Sequence, residues 1–276
     1  MPVLDLAVEA ERRGFEGLFL NEHTHLPVQA PRSQFPAGGP TPLRYARFWD
    51  PYVALSFVAA RTSLEIGPCV SLVAEHDPIA LAKAAATLDV LSGGRLMLGV
   101  GFGWNREEVE DHGHPARTRA RVVTESVALM RELWTKEVAC FSGEFFRLSP
   151  SMAWPKPRQQ PGPPVLLGAP ATERNFRRIA SWADGWIPMG SRLLEPVFAE
   201  WLTALRQVCR EVGRDPSSVR ITALLTGRAA VRLEEAAERA ATLHVERILV
   251  KVDDGPAERV LPWLDRLAEP LARILG

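Results

Sequence analysis

The chain has 276 residues, of which 46% are hydrophobic, with 33 Lys+Arg balanced by 33 Asp+Glu. A formal charge of zero leaves no long-range field to gather a nucleic-acid backbone or an anionic membrane surface. Three scattered cysteines, Cys69, Cys140 and Cys209, exclude a disulfide framework or a zinc cluster and read as small buried hydrophobes.

The pattern along the chain alternates helix and strand. Residues 2–13 place Val3, Leu6, Ala7 and Ala10 on one helical stripe that Gly14 stops. Residues 17–20 (GLFL) form a short strand, and Asp50-Pro51 opens a helix to Arg61, Asp as N-cap and Pro at the first turn. Strand 64–73 follows, and Asp77-Pro78 repeats the cap before the helix IALAKAAATLDVL. RLMLGVG is strand, 118–136 a long helix with Val122, Leu129 and Leu133 inward, and 138–148 a small hairpin around Ser142-Gly143. Six prolines stiffen 150–164; strands near 166, 186, 222 and 248 then alternate with helices over 172–182, 194–212, LEEAAERAATL and 256–275.

Strict alternation with wholly apolar strands predicts an α/β fold with a parallel sheet covered on both faces, in a single domain over 1–276. Seven strands, counted outside the hairpin, fall one short of a (β/α)8 barrel, and the chain opens on a helix. We read the fold as a (β/α)8 TIM barrel lacking its first strand, with unpaired edges near Leu18 and Leu249. An open, doubly wound sheet is the alternative. No apolar run approaches the roughly 18 residues of a membrane span, and no signal-like segment follows Met1. The expected location is cytoplasmic.

Four segments carry candidate chemistry. Glu22-His23 lies at the C-terminal end of a strand, where barrel enzymes collect catalytic side chains. His23 suits proton transfer near neutrality, and the adjoining carboxylate suits fixing its tautomer or holding a ring nitrogen. A loop histidine bonded to backbone is the alternative. His23-Thr24-His25 has no recognisable third ligand, so no metal is expected. Residues 26–49 form a long Pro- and Gly-rich loop whose Phe35, Tyr45, Phe48 and Trp49 suit covering an aromatic ligand. Gly99-Val100-Gly101-Phe102-Gly103 ends a strand and would let a flat ligand lie against bare backbone. Its spacing is not the dinucleotide fingerprint. Leu167-Gly168-Ala169-Pro170-Ala171-Thr172 runs from strand into helix, suiting a phosphate on the helix N-terminus, with Arg174, Arg177 and Arg178 as cationic reach. An ordinary β–α turn capped by Thr172 is the alternative. His112 and His114 read as solvated.

These features in this order resemble the luciferase-like monooxygenase superfamily, and within it the actinobacterial branch that uses the deazaflavin coenzyme F420. The resemblance rests on GFEGLFLNEH (14–23), DPIALAKAAATLDVLSGGRLMLGVGFGWNREE (77–108), LMRELWTKEVACFSGEFFRL (129–148) and PPVLLGAPATERNFRRIASWADGWIP (163–188). It implies ring contact and proton transfer at Glu22 and His23, and a non-proline cis peptide against the ring at Cys69-Val70 or Val70-Ser71. It implies further ring contacts from Gly101, Phe102, Gly103 and Trp104, and phosphate on Gly168, Ala169 and Thr172. Related sugar-phosphate dehydrogenases carry a glutamate after the Gly-x-Gly turn, where this chain has Trp104; that argues against the same substrate and the same acid.

The implied function is hydride transfer between coenzyme F420 and a small organic substrate, with lid arginines Arg32, Arg44 and Arg47 suited to the coenzyme's acidic tail. The alternatives are an FMN-dependent monooxygenase using oxygen, and a non-catalytic flavin-binding relative with an incomplete barrel. The expected partner is a small-molecule substrate, with neither nucleic acid nor membrane, and the resemblance implies a homodimer.

Overall fold

The computed structural model describes residues 1–30, 35, 38–190 and 192–275. In chain order its elements begin α1 (Val3–Arg12), β1 (Gly17–Leu20), α2 (Pro51–Arg61), β2 (Glu65–Pro68), α3 (Pro78–Leu91) and β3 (Leu98–Gly101). Next come α4 (Arg106–Asp111), α5 (Arg119–Thr135), β4 (Ala139–Ser142), β5 (Arg147–Ser151), β6 (Val165–Ala169) and α6 (Glu173–Trp182). The chain closes with β7 (Gly185–Pro188), α7 (Pro196–Glu211), β8 (Arg220–Leu225), α8 (Leu233–Leu243), β9 (Arg247–Val250) and α9 (Ala257–Leu275). The seven expected strands are all present, and the hairpin is β4–β5. The residues pack as two compact units, Leu18–Pro164 and Met1–Gly17 with Val165–Gly276.

In the Leu18–Pro164 unit, β1 pairs with β2, and β2 meets the approach to β3 through a parallel bridge from Ile66 to Leu96. The helices start where the sequence caps them. The Asp50 carboxylate accepts from the Val53 amide, and Asp77 accepts from those of Ile79 and Ala80. These caps satisfy amides that a helix N-terminus leaves without intrahelical partners. Trp134 of α5 donates its indole N–H to the Ala82 carbonyl of α3, and Glu125 of α5 takes the amides of Glu144, Phe145 and Phe146 in the hairpin turn. The proline-rich 150–164 is anchored by Gln159, which binds the buried Asp89 carboxylate through its amide and side chain.

Strand β2 is shorter than the apolar run 64–73 predicts. The chain leaves the ladder after Pro68 through a cis Cys69–Val70 peptide, at one of the two bonds the resemblance implied. It rejoins β3 at Ser71, which bridges Val100, then makes a tight turn over Val73–Glu75. The hydrophobicity of 69–73 reflects burial in this irregular segment rather than continued strand. A second difference is Cys140, which lies exposed on the hairpin; Cys69 is half-buried, and only Cys209 is fully buried. Burial pushes the Cys69 thiol up to about 12, so it stays protonated.

In the other unit, β6, β7, β8 and β9 form a parallel run. Strands β6 and β7 are buried at every position, whereas β9 is half-buried throughout. Trp186 fills the centre, edge-on to Phe176 at 5.3 Å, with its indole N–H on the Ala169 carbonyl. Asp184 receives the Val165 amide, and Arg214 reaches the carbonyls of Ile179 and Ala183. Helix α1 is tied to α9 by Arg13 and Asp265 at 2.7 Å. No helix among the described residues is long and apolar enough to cross a membrane.

Candidate active site

The Leu18–Pro164 unit gathers three carboxyl groups and two imidazoles from segments far apart in sequence. Leaving β1, the chain buries Glu22 and turns His23 inward, its side chain 5% exposed. His23 does not take its partner from the adjoining Glu22. Its Nδ1 lies 2.7 Å from Oε2 of Glu108 on α4, whose Oε1 also accepts the Thr24 amide at 3.2 Å. Its Nε2 accepts from the Trp104 indole N–H at 3.3 Å. A carboxylate can only accept and an indole can only donate, so the two bonds place the proton on Nδ1 and the lone pair on Nε2. Oriented this way, His23 is a base at Nε2.

Glu22 has other work. Its carboxylate accepts from the Ser71 hydroxyl at 2.9 Å, the Leu72 amide at 2.5 Å and His76 Nε2 at 2.9 Å. Tyr52, buried, donates to Ser71 behind it at 3.0 Å. Burial opposes ionisation of Glu22, but the hydrogen bond and charge of His76, the amide and the hydroxyl outweigh it and hold the carboxyl below its ordinary range. Burial likewise opposes the charged form of His76, yet Glu22 and the more remote Asp50 raise its pKa. The pair favours a carboxylate beside an imidazolium, and His76, 21% exposed, is its outward member.

A third carboxyl sits behind both. Glu75 ends the turn after Ser71 with a side chain wholly buried. Burial first, then the charges of Glu108 and Glu22, push it up to about 9, so it is a neutral acid at pH 7. Oε2 accepts from the Thr24 hydroxyl at 3.3 Å, and Oε1 is buried with no hydrogen-bond partner among the described residues.

Aromatic rings surround His23. Tyr45, Trp104 and Phe48 have centroids 5.4, 5.7 and 5.9 Å from the imidazole, and Phe35 stands edge-on to both Tyr45 and Trp104. Three of the four loop aromatics singled out from sequence thus converge there; Trp49 is exposed and outside the cluster. Arg44 stacks over Tyr45 at 5.5 Å, Arg47 is exposed, and Arg32 lies outside the described residues.

The glycines of β3 serve a different purpose from the one their spacing suggests. A Cβ on Gly101 would stand 2.4 Å from Val70 Cγ2, so the bare backbone seats the Val70 side chain rather than leaving space for a ligand. Gly103, at φ +73°, turns the chain beside Val109 and Glu75, bringing Trp104 round to His23. Phe102 is half-buried. Asn105 then caps α4 by accepting the Glu108 amide. His112 is no bystander: its Nε2 lies 2.8 Å from the Thr24 hydroxyl, while His114 packs edge-on to Phe146.

In the other unit, Gly168 and Ala169 are the last two residues of β6, and both are buried. Thr172 caps α6 by accepting the Asn175 amide. Of the arginines, Arg177 is paired with Glu173 at 2.7 Å and Arg178 donates to Asn175. No group of three or more potential metal ligands occurs among the described residues.

The family profile described as luciferase-like monooxygenase matches residues 2–271. The chain belongs to the luciferase-like monooxygenase family. Among its relatives in the family is an uncharacterized protein of Mycobacterium tuberculosis, 43% identical over 269 residues, covering 95% of this chain and 91% of the relative. Another is the F420-dependent glucose-6-phosphate dehydrogenase of Kineococcus radiotolerans, 28% identical over 223 residues, 78% of this chain and 60% of the relative. A solved structure with the same fold is the oxygenating constituent of 3,6-diketocamphane monooxygenase from Pseudomonas putida, in complex with FMN. It has a TM-score of 0.75 at 14% identity, over 98% of this chain and 91% of that one. The family fold is the α/β fold that the alternating pattern predicts, and the family is one of oxidoreductases.

Proposed function

We propose that this member of the family is a coenzyme F420-dependent oxidoreductase that moves a hydride to or from a small organic substrate. The carrying observation is His23, whose Nδ1 is held by Glu108 and whose Nε2 is presented among Phe35, Tyr45, Phe48 and Trp104. Apolar ring walls around one polar contact fit a flat heteroaromatic group and a small substrate. The F420-dependent relative favours the deazaflavin; the fold likeness to an FMN-bound monooxygenase supports FMN as the second reading.

A bound deazaflavin supplies the hydride chemistry, accepting or returning two electrons with the hydrogen. His23 Nε2 takes the proton of a substrate hydroxyl when the substrate is oxidised and returns it when a carbonyl is reduced. Glu108 holds the ring and stabilises the imidazolium that forms, as an orienting carboxylate does in other acid–base pairs. Trp104 must give up its bond to Nε2 for this to happen, and its indole N–H is then free for the substrate oxygen. Glu22 acts through His76, presenting a cationic imidazolium rather than its own carboxylate. Cys69, Val70, Ser71, Gly101, Phe102 and Gly103 hold the ring-side wall, while Gly168, Ala169 and Thr172 are proposed as the phosphate contacts. The partner is a small-molecule substrate, and the proposed assembly is a homodimer.

Titration of the purified protein with F420 and, separately, with FMN, followed by fluorescence quenching, tests this. Tight F420 binding with FMN ignored is the expected result. FMN binding alone, with oxygen uptake when the FMN is reduced, would replace the reading with the monooxygenase. Binding of neither would overturn both readings.

A further inference from the structure

Glu75 is a buried carboxyl of the unit that the chemistry of His23 leaves unused. Its Oε2 meets the Thr24 hydroxyl at 3.3 Å, and that hydroxyl lies 2.8 Å from His112 Nε2 and 3.0 Å from His25 Nδ1. His25 in turn reaches Asp111 at 3.0 Å, and both of those side chains are exposed. On its inner side Glu75 stands beside Glu108, whose Oε1 accepts the Thr24 amide at 3.2 Å and whose Oε2 lies 2.7 Å from His23 Nδ1. A file of titratable or hydroxylic groups therefore runs from the surface toward the imidazole, with Thr24 bonded to both Glu75 and Glu108.

We propose that Glu75, with Thr24, forms a proton path connecting the Glu108–His23 pair to solvent at His112 and His25. A neutral acid between an ionised carboxylate and a hydroxyl is suited to this, because it can donate to one side while accepting from the other. When His23 Nε2 takes a substrate proton, Glu108 first stabilises the imidazolium, and the Nδ1 proton then passes to Glu108 Oε2 as the charge is discharged to solvent. Glu108 hands a proton to Glu75, and the Glu75 proton leaves through the Thr24 oxygen to His112 or His25 and then to water. One proton enters at Nε2 and one leaves at the surface, with no electrons moved. Reduction of a substrate runs the same path inward. The groups facing Glu75 are Glu108 of α4, Glu22 after β1, the Thr24 hydroxyl and the imidazole of His112, of which Glu22 and Glu108 disfavour its ionisation. The role serves the proton chemistry proposed for His23 and so rests on that reading. Its test does not, because it reads the unliganded protein.

The measurement is the infrared carboxylic C=O band and its shift on transfer to D2O. At pH 7 the wild-type protein is expected to show a protonated buried carboxyl band that Glu75→Gln removes and Glu75→Asp retains. The band should shift rapidly in D2O in the wild type and in Thr24→Ser, and at least ten-fold more slowly in Thr24→Val, which lacks the hydroxyl. Absence of the band in the wild type, or its survival in Glu75→Gln, would overturn the proposal, as would equal exchange in the wild type and Thr24→Val. Failure of F420 and FMN to bind, with the infrared result as expected, would overturn the function and leave the path standing.

Discussion

Two histidine–glutamate couples lie within one unit, and they are built to opposite ends. In Glu22–His76 the carboxylate is saturated by an amide, a hydroxyl and the imidazole, and the histidine answers by holding its extra proton. In Glu108–His23 the same pair of residue types faces an indole N–H on the far ring nitrogen, which requires a lone pair there. The lesson is that the second partner of the imidazole, not the carboxylate, decides whether a His–Glu couple is a charge or a base. One couple supplies a fixed cation; the other supplies a place for a proton.

Removing the base is the most direct way to break the comparison. His23→Ala should lower turnover on the order of 10²- to 10⁴-fold, with cofactor affinity within about threefold, by steady-state kinetics and fluorescence titration; unchanged turnover would remove His23 from the chemistry. Glu108→Gln leaves the ring in place but loosens its tautomer, and should lower turnover by about 10²-fold, smaller than a triad carboxylate because Trp104 still biases the ring. Gly101→Ala tests the frame rather than the chemistry. Its Cβ would collide with Val70, so thermal unfolding should show a loss of about 1–3 kcal/mol, as overpacking costs elsewhere.

The charged couple gives the smallest effect and the clearest pH signature. The stabilisation from Glu22, whose pKa is lowered on folding, is present above about pH 4.5 and lost as pH falls through its folded value. That from His76, whose pKa is raised, is complete below about pH 6.5 and lost as pH rises through its folded value. Glu22→Gln should therefore flatten the melting-temperature profile on both sides. Glu75 works the other way: its folded pKa near 9 makes stability decline as pH rises from about 4.5 to 9, a slope that Glu75→Gln should remove. A mutant profile parallel to the wild type in either experiment would contradict the assignment.

Much of the fold was legible because its signals are local. Asp50-Pro51 and Asp77-Pro78 mark helix starts through bonds to amides two or three residues on, and strands such as Gly17–Leu20 and Val165–Ala169 are apolar runs of four and five residues. The site was legible only at one end. Glu22-His23 stands out at a strand terminus, but the partner of His23 is 85 residues away and that of Glu22 is 54 away. No spacing rule joins such residues. The sequence around Glu108 did offer a hint: Asn105 three residues before a glutamate is a helix-start pattern, and it places that glutamate on the first turn. Here the side chain turns to His23 rather than back to the cap. The glycines misled because absence of a Cβ makes room equally well for a ligand or for the chain itself, and Val70 occupies it.

The most direct test of the account is ¹⁵N NMR of the imidazole rings in the unliganded protein at pH 6.5. We expect the neutral ring of His23 to carry its proton on Nδ1 and leave Nε2 bare, beside His76 protonated on both nitrogens in the majority of molecules. A bare Nδ1 on His23, or the same protonation pattern on both rings, would contradict the division of labour between the two couples.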